Sequence, residues 1–308
     1  DDHVGTGRVE HAGETITEAG GRAGDDHRAA VESEQVERVA HGSHLTILSV
    51  HRAGARFGRR PSHAVWHHAG MTEPTTVLLV HGAWHGAWCF AALQHALDRL
   101  GVPSLAVDLP GHGASPDPLT DLYGDAEHLV RVLAHVGAPV VLVGHSYGGA
   151  VVTEAAVRHP DVRHLVYLTA FALDEDESVM GMVSSLPDAK VRLGAAMRFR
   201  DDGTSVLDPE LAVPALYGDC DDASIAAAIS RLDPQPMLNF GQPATGNPRT
   251  RIPSTYVRCL RDQAVHIDHQ DVMAARCSEV LTLDCDHSPF LSRTTDVAAL
   301  LARIAGHA

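Results

Sequence analysis

The chain has 308 residues, 44% of them hydrophobic and 20% charged, enough for one large globular α/β domain with a substantial core and some extra segments. Its formal net charge of -15 argues against nucleic acid or an anionic membrane as a partner, since long-range repulsion opposes both. Five cysteines, an odd number without a C-x-x-C pair, suggest neither a disulfide framework nor a zinc ribbon, and free thiols are expected.

Residues 1–70 differ from the rest. From Asp1 to Ala40 the composition is rich in Gly, Ala, Glu, Arg and His with few large apolar side chains. Such a segment cannot bury enough surface to offset its ordering entropy, so an N-terminal extension over 1–70, largely disordered, is expected. Within it, Glu32 to Val39 reads as a weak helix and Leu45 to Val50 as a strand or docking segment. The first methionine, Met71, stands just before the first convincing strand, so the functional domain is expected to run over 71–308. The first residues lack the basic-then-apolar order of a secretion signal, and no apolar run approaches a membrane span; a soluble, cytoplasmic protein is expected.

After Met71 strands and helices alternate. Short apolar runs predict strands at 77–80, 104–107, 140–144, 165–169, 255–259 and 279–283. Helical spacing predicts helices at 89–100, 121–136, 147–159, 268–276 and 294–304, the second with Leu122, Ala126, Leu129, Leu133 and Val136 on one face. The alternation predicts a mostly parallel sheet with helices on both faces. Between about 171 and 252 it lapses into prolines, an acidic run at Asp174-Glu175-Asp176-Glu177 and short helical pieces. An insertion of this length reads as a cap over a substrate pocket, and its apolar residues include Met180, Met182, Met197, Leu216 and Phe240.

The strand at 140–144 runs into Gly144-His145-Ser146-Tyr147-Gly148-Gly149, with helical spacing beyond. Ser146 therefore falls on a sharp turn between strand and helix, where the flanking glycines let the two elements approach and the helix N-terminus favours negative charge. A serine there can simply cap the helix. It can also be a nucleophile, and a nucleophilic serine needs a base to take its proton and an acid to orient that base. His287, after the strand at 279–283, and Asp262, after the strand at 255–259, stand on loops at strand carboxyl ends, where sites of open α/β sheets collect. Asp174 competes for the acid role, while Asp286 reads as a loop residue. The first strand is followed by His81-Gly82-Ala83-Trp84-His85-Gly86-Ala87-Trp88. Here the Ala83 N–H, with that of Tyr147, would stabilise an oxyanion. Trp84, His145 and Tyr217 are expected at the substrate pocket. His266-Ile267-Asp268-His269 has metal-like spacing without a complete ligand set, and no metal is expected.

Val80-His81-Gly82-Ala83-Trp84, Asp108-Leu109-Pro110-Gly111-His112-Gly113, Gly144-His145-Ser146-Tyr147-Gly148-Gly149 and Asp286-His287 together resemble the α/β-hydrolase superfamily. Within it, the His-Gly-Ala-Trp form is similar to the branch of plant methylesterases, hydroxynitrile lyases and related bacterial esterases. The resemblance spans 75–305 apart from the cap, and implies an α/β-hydrolase fold, a triad of Ser146, Asp262 and His287, and no cofactor. Hydroxynitrile lyases of this branch carry a lysine after the catalytic histidine and a threonine in the oxyanion loop, whereas this chain has Ser288 and Ala83, which favours an esterase. The expected activity is hydrolysis of a small to medium apolar carboxylic ester through an acyl-enzyme. A lactonase, thioesterase, amidase or cofactor-free perhydrolase could use the same triad, and a hydrolase-fold receptor could bind with little turnover. Oligomeric state leaves no signal in the sequence.

Overall fold

The computed structural model describes residues 75–137, 139–159 and 162–306, together with the backbone of two strands, β1 (Ser33–His41) and β2 (His44–Ala53). The disorder and the domain boundary expected over 1–70 fall largely outside the described residues. β1 and β2 form an antiparallel hairpin, so the weak helix expected at Glu32 to Val39 is a strand instead. A helix that short is marginal in water, whereas pairing with β2 satisfies its backbone groups.

The first buried strand, β3 (Thr76–Val80), leads through a 3₁₀ turn into α1 (Ala91–Arg99) and β4 (Ser104–Val107). Next come α2 (Leu122–Val136), β5 (Val140–His145), α3 (Gly148–Arg158) and β6 (Val162–Leu168). The Asp121 side chain caps α2 by accepting the Gly124 N–H, and Gly137, at φ 64°, ends it in the left-handed conformation a glycine adopts without strain. The chain then leaves the sheet for α4 (Val179–Ser185), α5 (Leu193–Ala196), β7 (Met197–Phe199), β8 (Thr204–Leu207), α6 (Pro209–Leu216), α7 (Asp222–Ile229), β9 (Gln235–Pro236) and α8 (Leu238–Gly241). It returns with β10 (Ser254–Cys259), α9 (Ile267–Ala274), β11 (Glu279–Leu283), the single turn α10 (Pro289–Ser292) and α11 (Thr294–Ala305).

The main sheet has the order β1-β2-β4-β3-β5-β6-β10-β11 and is parallel from β2 onward. Its central strands are apolar on both faces because both are covered. Leu78, Val80 and Leu142 pack with Leu122, Ala126, Leu129 and Ala150 of α2 and α3. The alternate residues Val77, Leu79, Val141 and Val143 pack with Leu93 and Leu97 of α1 and Val297 and Leu301 of α11. Full burial of such a side chain contributes about 1.5–3 kcal/mol. Asp125 and His128 also lie on the buried face of α2, against the expected apolar stripe. Among the described residues no helix is long and apolar enough to cross a membrane.

In sequence order the chain builds β3, then β4 on one side of it, then β5 on the other. The loops leaving β3 and β5 therefore diverge and open a crevice at the carboxyl edge of the sheet.

Candidate active site

Ser146 stands at that edge, between β5 and α3, with φ of 51°. An L-residue in this region is strained, so surrounding packing must hold it there. The glycines explain how. A Cβ on Gly144 would lie 2.5 Å from the Gly148 carbonyl oxygen, and one on Gly148 would lie 2.5 Å from the His81 carbonyl oxygen. Strand, turn and helix thus touch backbone to backbone, and Ser146 stays at the surface of the crevice, 9% exposed. Of the four non-glycine residues at positive φ among those described, Ser146, Trp84 and Thr169 belong to this site.

β10 and β11 bring Asp262 and His287 together across 25 residues of sequence: Asp262 Oδ2 accepts from His287 Nδ1 at 2.7 Å, with both side chains buried. The other carboxylate oxygen accepts the Ala264 and Val265 N–H groups at 2.6 and 2.9 Å, and the Thr169 hydroxyl donates to Oδ2. Four donors therefore orient the carboxylate, and its bond to Nδ1 leaves His287 Nε2 available as an acceptor. Among the described residues no hydrogen bond joins His287 to Ser146; such contacts often tighten only around substrate. The two loops meet through His145, whose Nε2 bonds the His287 carbonyl oxygen at 2.9 Å and whose ring lies 4.6 Å from that of His287.

The loop after β3 closes over the serine, with Gly82 so near that a Cβ there would stand 2.9 Å from Ser146 Cβ. Neither the Ala83 nor the Tyr147 N–H finds an acceptor among the described residues. Both residues line, with Ser146, a cavity of about 170 Å³. Its walls are apolar: Val179, Met180 and Val183 from α4, Leu193 and Met197 around α5, Phe240 from α8, and Ala264 and Val265 from the loop that carries Asp262. The insertion thus supplies most of the cavity.

Of the expected pocket residues, Trp84 lines the cavity, while its Nε1 donates to Ser205 Oγ at 3.1 Å. His145 and Tyr217 do not line it. Both are fully buried in a layer with His85, where the Tyr217 hydroxyl meets His85 Nε2 at 2.7 Å. Their polar rings are used to brace loops, which residue type alone could not reveal. Met180, Met197 and Phe240 face the cavity as expected of the insertion's apolar residues, whereas Met182 and Leu216 belong to the core. Asp174 sits apart from His287, held by Arg249, Arg276 and Asn247. Asp286 accepts from Ser292 Oγ and from the Asp219 N–H, tying the loop of His287 to the insertion. His266 caps α9 through the Asp268 N–H.

Two features were not anticipated. Thr169 has no sequence signal beyond its place at the end of β6. The Tyr147 side chain enters a buried network in which its hydroxyl donates to Asp125 Oδ2 at 2.7 Å and Asn239 Nδ2 bonds both at 3.1 and 2.9 Å. Burial pushes the Asp125 carboxyl up to about 7, despite donors from Thr120, Tyr147 and Asn239. Burial also keeps His81 and His145 well below the usual imidazole range, and His85 and His128 at about 4.

A family model described as the alpha/beta hydrolase family matches residues 77–300. The alpha/beta hydrolase nvfD of Aspergillus novofumigatus is 30% identical over 254 residues, which cover 77% of this chain and 99% of that protein. The pFDCC methylesterase MES16 of Arabidopsis thaliana is 29% identical over 257 residues, 76% of this chain and 96% of that one. The crystal structure of MES16 superposes with a TM-score of 0.63 at 26% identity, covering 76% of this chain and all of that one (100%). A pyrethroid hydrolase from Sphingobium faniae gives 0.66 at 25% identity, covering 75% and 97%.

Proposed function

Since the chain belongs to the alpha/beta hydrolase family, we propose that it hydrolyses carboxylic esters through an acyl-enzyme on Ser146. The observation that carries this reading is the Asp262–His287 hydrogen bond of 2.7 Å beside a strained serine that opens into an apolar cavity. Ser146 Oγ attacks the ester carbonyl carbon while His287 Nε2 takes the hydroxyl proton. Asp262 holds the ring with Nε2 unprotonated and stabilises the imidazolium that forms. The tetrahedral oxyanion is received by the Ala83 and Tyr147 N–H groups, which have no competing acceptor among the described residues. His287 then gives its proton to the departing alkoxide. Water, deprotonated by the same nitrogen, attacks the acyl carbon, and Ser146 recovers its proton as the acid leaves.

The aliphatic, methionine and phenylalanine walls favour an uncharged apolar group on the ester, because an ionised group there would lose its hydration without a partner. The name of the methylesterase supports the same class of bond, and that of the pyrethroid hydrolase supports hydrolysis. The test is labelling with a fluorophosphonate, followed by turnover of p-nitrophenyl esters of increasing acyl length. Wild type takes the label and cleaves short to medium acyl esters, and Ser146→Ala does neither. Labelling that persists in Ser146→Ala refutes the assignment.

A further inference from the structure

Two buried histidines outside the triad hold consecutive peptides of the loop after β3, and the geometry of each determines which ring nitrogen carries the proton. His81 Nε2 accepts the Leu109 N–H at 3.0 Å, so its proton resides on Nδ1, which donates to the Gly82 carbonyl oxygen at 2.8 Å. His85 Nδ1 lies 2.8 Å from the Ala83 carbonyl oxygen, which can only accept, so Nδ1 is again the donor. His85 Nε2 must then accept the Tyr217 hydroxyl proton across 2.7 Å.

A trans peptide is planar, with its C=O and N–H pointing in opposite directions. The Gly82 carbonyl and the Ala83 N–H share one such plane. Fixing the carbonyl with His81 therefore fixes the direction of the N–H beside Ser146. His85 fixes the next plane, that of the Ala83 carbonyl and the Trp84 N–H, the latter meeting Gln235 Oε1 at 3.4 Å. Tyr217 follows α6, so part of the insertion reaches into this arrangement. We propose that His81 and His85, with Tyr217 acting through His85, are positioning residues that aim the Ala83 N–H at the oxyanion. This rests on the esterase reading above. Both rings must stay neutral: a protonated His81 would turn Nε2 into a donor facing the Leu109 N–H. Their complete burial meets that requirement.

The test uses the different reach of two amides. In His81→Asn the side-chain NH₂ takes the place of Nδ1 and keeps the bond to the Gly82 carbonyl. In His81→Gln the amide reaches the place of Nε2 and keeps only the Leu109 contact. None of the three positioning residues lines the cavity, so kcat should respond and KM should not. H81Q lowers kcat about 10- to 100-fold, the range for a misdirected oxyanion donor, while H81N recovers most of that loss. Affinity for phenylboronic acid, whose tetrahedral serine adduct places an oxygen in the oxyanion position, falls in the same order. Tyr217→Phe removes one oxygen atom and lowers kcat about three- to tenfold at unchanged KM, which keeps the proposal open to refutation if the His81 variants fail to fold. Wild type that cleaves esters while H81Q keeps its kcat, or while H81N falls as far as H81Q, overturns the positioning role alone. An unchanged kcat in Tyr217→Phe overturns the positioning role of the linked pair His85 and Tyr217. Wild type inert to both esters and fluorophosphonate overturns the esterase reading and this one with it.

Discussion

Acidification from pH 7 to 5 destabilises this fold through its buried histidines. An unfolded imidazole titrates near 6.5, whereas His85 and His128 are held at about 4 and His81 and His145 well below their usual range. Between these limits the unfolded chain binds the extra protons, so stability present above about pH 6.5 is lost as the pH falls. Each such group changes stability by about 1.4 kcal/mol per pH unit, so His85 and His128 each forfeit about 2 kcal/mol by pH 5. His81 and His145 act in the same direction. Asp125 acts in the opposite direction: its folded carboxyl, at about 7, keeps a proton that the unfolded one has released, and offsets one histidine. His85, His128 and Asp125 together leave a net loss of about 2 kcal/mol, to which His81 and His145 add in the same direction, a sizeable share of the 5–15 kcal/mol that stabilises a typical domain. Urea midpoints measured by circular dichroism in buffers from pH 5 to 8 read the effect directly. His128→Leu, on α2 and away from the cavity, makes the dependence below pH 6.5 shallower by about 1.4 kcal/mol per unit, and Asp125→Asn makes it steeper by about the same amount. A midpoint that stays level from pH 5 to 7, or a His128→Leu slope equal to that of wild type, refutes the reasoning.

Replacing Asp262 by Asn lowers kcat about 10⁴-fold at nearly constant KM in steady-state ester hydrolysis, because the amide favours the wrong tautomer of His287. Asp174→Asn leaves kcat unchanged, since its carboxylate serves Arg249 and Arg276. Gly148→Ala sets a methyl group 2.5 and 2.6 Å from the His81 and Val80 carbonyl oxygens, a backbone collision without room to relax. It lowers stability in urea titrations by about 3 kcal/mol or more, and a loss under 1 kcal/mol would contradict the close approach of helix and strand. Phe240→Ala deepens the cavity and moves the preferred p-nitrophenyl ester toward longer acyl chains; an unmoved preference would place the acyl group elsewhere.

Much of the fold was legible because strand and helix patterns are local. The apolar runs at 104–107 and 279–283 became β4 and β11 with the same limits, and the stripe from Leu122 became the buried face of α2. The insertion was legible only as a break in alternation. Its helices are short, and their cavity-facing residues Val179, Val183 and Leu193 follow no period that separates them from its own core.

The amino-acid sequence by itself determined the setting of Ser146. A serine between glycines, after an apolar strand and before a helix, is a local arrangement whose sterics are complete within a few residues. The order of Ser146, Asp262 and His287 also lay in the sequence, but not the choice between Asp262 and Asp174. Which of the two meets His287 was set by the pairing of β6, β10 and β11, which carries Asp262 to His287 and to Thr169, 93 residues distant, and leaves Asp174 beside Arg249. Tertiary structure likewise decided that Tyr217 braces His85 across 132 residues rather than lining the cavity. The physical reason is the same in each case: a hydrogen bond depends on atoms brought within about 3 Å, and for residues far apart in the chain only sheet register and packing set that distance.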